Sequence, residues 1–146
     1  MLIQEHNILL NIRAKNKESV LWELAKLAQQ DCPQLDQDTL YRLLLEREQI
    51  GSTGVGNGVA IPHVRIENLD SILLFFGRTH DGVGYDSVDN QPVYFIVMII
   101  SPADKPAEYL ETLGAVSRFL KQPEIRRELR LAHDAKEIKK IFQQFH

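Results

Sequence analysis

Eight consecutive apolar residues, Val93 to Ile100, stand between Pro92 and the pair Ser101-Pro102. A run this short, rich in β-branched and aromatic side chains and bounded by turn-formers, reads as a strand buried on both faces. Such strands belong to sheets covered by helices on either side, so the rest of the chain has to supply those helices. A membrane helix would need about 20 apolar residues, and no run in the sequence approaches that length.

The helices are legible by spacing. In "NKESVLWELAKLAQQ" the apolar positions Val20, Leu21, Leu24, Leu27 and Ala28 recur at helical intervals, with Asn16 as the N-cap and Cys32-Pro33 as the stop. In "DQDTLYRLLLEREQI" Leu40, Leu43 and Leu44 form the stripe, Asp36 or Asp38 caps the start and Gly51 lies just past the end, which puts Arg47 in the last turn. Three more amphipathic segments follow the apolar run: "PAEYLETLGAVSRFLK", "PEIRRELRLA" and "AKEIKKIFQQF". Ile8-Leu9-Leu10 reads as an edge strand, Val59 to Ile61 and "SILLFFGRT" as further strands, and "DGVGYDSVDNQP" as a loop. His80, in "RTHDG", reads as an exposed turn residue, and His6, His133 and His146 belong to no constellation. Strands alternating with helices give an α/β domain in three layers.

At 146 residues the chain is long enough for one domain, 1–146, with its own core. The net charge of -3 argues against a nucleic-acid partner, which calls for a basic surplus on one face. Eight Lys or Arg residues against four Asp or Glu lie between Arg118 and Lys140, but the signs interleave as on solvated helices. Cys32 is the only cysteine, so neither an internal disulfide nor a thiolate metal cluster can form within the chain. With no signal-peptide pattern at "MLIQEHNILLNI", the expectation is a cytoplasmic protein that does not insert in a membrane.

The segment "GSTGVGNGVAIPH", residues 51–63, is the chemical focus. It is not a P-loop, since no Lys-Ser or Lys-Thr follows its last glycine. Nor is it a dinucleotide fingerprint: Gly54 and Gly56 begin one, but Val59 occupies the third glycine position and a strand follows. What remains is a glycine loop whose backbone amides, with Ser52, Thr53, Gly54 and Asn57, could face an anion. Pro62 stiffens the approach to His63, and an imidazole held in a defined direction can accept a phosphoryl group on one nitrogen while the other is held by a hydrogen bond. From spacing alone the same residues also describe a strand-end histidine beside a glycine hairpin or bulge.

The stretch "REQIGSTGVGNGVAIPH", with "GYDSVDNQPV", the helix beginning "PAEYLETL" and the later "RRELRLA", resembles the fructose/mannitol-type (type 2) enzyme IIA proteins of the bacterial phosphoenolpyruvate-dependent phosphotransferase system, the nitrogen-regulatory group above all. The resemblance covers nearly the whole chain. It implies a mixed sheet between helices, His63 as acceptor of a phosphoryl group on Nε2, Arg47 as its phosphate-stabilising arginine, and no cofactor or metal. It also implies partners: a phosphocarrier protein, HPr or its nitrogen-pathway relative, and then regulatory targets or an enzyme IIB. One position departs from the pattern, because Tyr109 stands where many relatives carry a second histidine. The implied function is a phosphoryl-carrying regulator, with a sugar-transport enzyme IIA and a binding module without phosphotransfer as alternatives.

Overall fold

A computed structural model describes residues 3–144, so His146 lies outside the described residues. After a 3-10 turn at Glu5–Asn7, the elements run β1 (Ile8–Ile12), α1 (Lys17–Asp31), α2 (Gln37–Ile50), β2 (Gly54–Gly56), β3 (Val59–Ala60), β4 (His63–Ile66), β5 (Leu73–Val83), β6 (Val93–Pro102), α3 (Pro106–Leu120), α4 (Pro123–Leu131) and α5 (Ala135–Phe142). The strands pair in the order β1-β5-β6-β3-β2, with β4 also on β6. The sheet is mixed: β5 runs antiparallel to β6, β3 and β4 run parallel to it, and β1 runs parallel to β5.

The apolar run is β6, at the centre, and its pleat divides the core in two. Ile96, Met98 and Ile100 join Val20, Leu21 and Leu24 of α1 and Leu40 and Leu44 of α2 on one face. Phe95, Val97 and Ile99 join Val116, Phe119 and Leu120 of α3, Leu129 of α4 and Ile138 and Phe142 of α5 on the other. Alternate residues of a strand point to opposite faces, so an uninterrupted apolar run is what a strand between two helical layers needs. This is the expected three-layer α/β sandwich.

Both N-terminal helices start where the capping residues predict. The Asn16 side chain accepts from the Ser19 amide at 2.8 Å and that of Asp36 from the Thr39 amide at 3.0 Å, so Asp36 rather than Asp38 is the cap. One expectation is corrected at His80. The residue is exposed, but it lies within β5, which continues through Asp81 and Gly82 to Val83 past a register shift opposite β6. A shift of register lets a strand carry turn-forming residues and still regain its partner.

The glycines of 51–58 also take their places. Asn57 (φ 58°) and Gly58 (φ 76°) form the left-handed tip of the β2–β3 hairpin, in which Gly56 pairs with Val59. Gly54 is set by close approach, since a Cβ there would stand 2.9 Å from both the Cα and the Cβ of Ser87. Gly51 has nothing within 4 Å of such an atom and an extended backbone. Gly54→Ala is therefore expected to destabilise the fold by about 1–3 kcal/mol through overpacking, and Gly51→Ala by no more than about 0.5 kcal/mol, as at an uncrowded surface position. Urea denaturation of the two variants checks the contrast, and equal midpoints would contradict it.

Candidate functional site

Pro62 divides what would be one strand into β3 and β4. Its carbonyl accepts from the Ile99 amide at 2.9 Å, but it has no N–H to return, so the ladder with β6 is interrupted at that residue. Ile61 turns its polar groups the other way, and its amide donates to the Thr53 carbonyl at 2.9 Å. Its own carbonyl is taken by a side chain two residues on.

That side chain is His63, the first residue of β4, with 8% of its surface exposed. Nδ1 lies 2.7 Å from the Ile61 carbonyl oxygen, which can only accept, so Nδ1 carries the proton. Nε2 then presents its lone pair, and Arg47 Nε donates to it at 3.2 Å. The tautomer is set from both sides. Burial holds the imidazole below its ordinary pKa of 6.5, Arg47 pushes the same way, and the Ile61 carbonyl and the Glu48 carboxylate oppose them without prevailing. A ring that stays neutral at physiological pH keeps Nε2 nucleophilic.

Arg47 is in the last turn of α2, as its spacing predicts, and its Nη1 also donates to the Gly51 carbonyl at 2.9 Å. The next residue, Glu48, has a side chain only 5% exposed, and its carboxylate gathers donors from three other segments. Oε1 accepts from Lys17 Nζ at 3.0 Å and from the Thr53 amide at 3.0 Å, while Oε2 takes the Thr53 hydroxyl and the Tyr85 hydroxyl, the latter at 3.4 Å. Lys17 Nζ also sits 4.8 Å from the centre of the Tyr85 ring. Burial, followed by the Glu48 charge, pushes the Tyr85 phenol far above its usual pKa, so it remains a donor. This cluster pins the segment after α2 against the start of α1, and with it the Gly51 carbonyl that steadies Arg47.

The same bonds correct the idea of a loop with free amides. The Thr53 amide goes to Glu48, that of Gly54 to Ser52 Oγ at 3.0 Å, and that of Asn57 to Asp89 at 3.2 Å. Two of these acceptors are carboxylates, which an incoming anion would have to displace. Ser52 and Thr53 do line a cleft of about 450 Å³ beside Arg47 and His63, whereas Asn57 is an exposed hairpin tip and Gly54 is packed against Ser87.

A second cleft, of about 630 Å³, opens on the other side of the imidazole, between Arg47, Arg65 and Tyr109. The half-buried Tyr109 ring has its centre 5.7 Å from that of His63, so this side chain faces the site rather than the core. Burial raises its pKa against the pull of Arg47 and Arg65, which leaves a neutral phenol able to donate one hydrogen bond. The Arg65 guanidinium lies over the Tyr109 ring at 5.6 Å. Reading by motif passes over Arg65, although the signal is present: in a strand the residue two beyond His63 shares its face. Exposed apolar side chains, Ile50, Val55 and Leu110, border these clefts.

A neutral imidazole with a directed lone pair, two guanidiniums and an apolar rim suits transfer of an anionic group from another macromolecule. Comparison with known proteins agrees. A family profile described as "Phosphoenolpyruvate-dependent sugar phosphotransferase system, EIIA 2" matches residues 1–145. The chain is 33% identical over 137 residues to the nitrogen regulatory protein of Bradyrhizobium diazoefficiens, covering 94% of this chain and 89% of that protein. It is 36% identical over 128 residues to the fructose-specific EIIABC component of Bacillus subtilis, covering 88% of this chain but 20% of that much longer relative. The crystal structure of nitrogen regulatory protein IIA-Ntr from Neisseria meningitidis superposes with a TM-score of 0.89 at 30% identity, over 96% of this chain and 95% of that one.

Two outcomes follow from this geometry. In a ¹⁵N NMR titration His63 is expected as the Nδ1-protonated tautomer with a pKa below 6.5; an Nε2-protonated ring, or titration at or above 6.5, would contradict it. Because the folded state disfavours the protonated ring, the nucleophile stays available as pH falls through 6.5 and is lost only below that value. Glu48→Gln, which leaves Lys17 buried without its counter-charge, is expected to cost about 3 kcal/mol in denaturant unfolding, and a cost under about 1 kcal/mol would assign the cluster no more than a surface pair's worth.

Proposed function

Since the chain belongs to the EIIA type-2 family of the phosphoenolpyruvate-dependent sugar phosphotransferase system, we propose that it is a phosphoryl carrier in which His63 Nε2 accepts the group from a phosphohistidine of a phosphocarrier protein, HPr or a nitrogen-pathway relative. The observation that carries this reading is the pair of bonds on the imidazole, Nδ1–H to Ile61 and Arg47 to Nε2.

The step balances simply. The phosphorus–nitrogen bond of the donor breaks as the Nε2–phosphorus bond forms, and the Nδ1 proton stays where it is. The ring gains positive charge as Nε2 gives up its lone pair, and the Ile61 carbonyl facing Nδ1–H stabilises that charge. Arg47, displaced from the lone pair, is placed to hold the phosphoryl oxygens, and Arg65 adds a second cation from the far cleft. Tyr109 contributes a hydrogen bond in place of a charged second histidine. The apolar rim supplies the kind of surface a protein donor docks on.

In this reading the protein acts mainly as a regulator, whose partners distinguish the phosphorylated from the free form by the added charge. The similarity to nitrogen regulatory proteins over most of both chains supports it. A sugar-transport role, with the phosphoryl group passed to an enzyme IIB, is the second reading, favoured by the similarity to a fructose-specific component. The buried, unpaired Cys32 fits a reducing cytoplasm, where the phosphocarriers would be met.

Incubation with phosphoenolpyruvate, enzyme I and a phosphocarrier is expected to add one acid-labile phosphoryl group by intact mass, and none in His63→Ala. Phosphorylation is expected to slow about a hundredfold in Arg47→Lys and about tenfold in Arg65→Gln. Modification of His63→Ala, or none of the native chain with any phosphocarrier, would sink the proposal. Adding an enzyme IIB of fructose/mannitol type separates the two roles, since a regulator retains its phosphoryl group and a transport component loses it.

A further inference from the structure

At the end of β6 remote from Ile99 and its partner His63, the described residues form a further basin of about 630 Å³. Its walls come from Asn11 of β1, Arg78 and His80 of β5, Tyr94 of β6 and Arg130 at the end of α4. None of the residues lining it is a carboxylate.

Arg78 is held rigidly. Its Nε donates to the Leu10 carbonyl at 3.1 Å, and its Nη1 donates to the carbonyls of Leu129 at 2.8 Å, Arg130 at 3.3 Å and Ala132 at 2.7 Å. Three of these carbonyls are at the C-terminal end of α4, so the guanidinium is fixed in place by the partial negative charge of a helix end and not by a carboxylate. Arg130 is exposed and lies over the Phe95 ring at 5.9 Å. His80 is exposed, and Tyr94 offers a half-buried ring and a hydroxyl. The basin thus combines one anchored and one exposed guanidinium, an imidazole and a phenol, at a volume within the range of small-molecule sites.

We propose that this basin binds a small phosphomonoester, its phosphate between Arg78 and Arg130 and its organic body against Tyr94. Arg78, with Nε and Nη1 committed to carbonyls, has Nη2 left to donate, Arg130 on the same wall can add a two-pronged contact, and with no acid in the lining this donor set suits a dianionic oxyanion. The phosphomonoester could be a nucleotide or a sugar phosphate, since the phosphate contacts are common to both.

The test is a titration of the ¹⁵N-labelled full chain with AMP, ribose 5-phosphate and, as the uncharged control, adenosine. Saturable shifts of the Asn11, His80 and Leu131 amides with either phosphate, absent with adenosine, are expected; binding by AMP alone marks a nucleotide site, and binding by both marks a sugar-phosphate site. Affinity is expected to fall about tenfold in Arg130→Gln and to weaken with added salt. His80→Ala, also at an exposed position, is expected to fold normally and to weaken binding too. No saturable shift with either phosphate at about 10 mM, shifts centred on His63 instead, or an affinity in both variants unchanged from that of the native chain would overturn the proposal. Because neither the probes nor the variants involve His63, the outcome is separable from that of the phosphoryl-carrier reading.

Discussion

The molecule is organised by β6. Its eight apolar residues from Val93 to Ile100 can be buried only if both faces of the strand are covered, and each helical layer packs against one set of alternating side chains. The same strand receives β5 on one edge and, in a single register, β3 and then β4 on the other. The break between those two short strands is where His63 sits. Pro62 cannot complete the ladder, Ile61 faces away from β6, and its carbonyl is available to orient the His63 ring. A packing constraint at the centre of the sheet thereby fixes which imidazole nitrogen bears a lone pair.

Around that ring the structure separates holding from reacting. Glu48 ties together Lys17, Thr53 and Tyr85 and leaves its neighbour Arg47 free to reach Nε2. Adjacent residues at the end of α2 therefore differ in role, one buried in an ion pair with Lys17 and the other aimed at His63 Nε2. Buried charge of this kind is costly unless its donors are all in place, so the position of the segment after α2 is sharply defined. The glycines serve the same end: Gly54 lets β2 approach Ser87, and Asn57-Gly58 turns the hairpin.

Much of this was legible in the sequence, because the informative residues act locally. The caps at Asn16 and Asp36, the helical stripes, the buried strand and the place of Arg47 in the last turn each follow from periodicity or from a side chain's reach within one turn. The losses occurred where distant segments meet. Lys17 and Glu48 look like ordinary solvent-facing helix charges until α1 and α2 are packed together with Tyr85 beside the pair. The amide of Asn57 looks free until Asp89 arrives from 32 residues away. His80 read as a turn because turn-formers follow it, whereas a register shift lets β5 continue. Arg65 was within reach of strand periodicity and was missed because the motif ends at His63.

In the proposed function the Ile61 carbonyl, by holding Nδ1–H, reserves His63 Nε2 for the phosphoryl group. The most direct test is to phosphorylate protein carrying ¹⁵N-labelled histidine and to read from the phosphorus–nitrogen coupling which ring atom bears the phosphate. This account predicts phosphate on Nε2 of His63 with Nδ1 still protonated. Phosphate on Nδ1 would contradict it, because that atom would have to leave the carbonyl that defines the site.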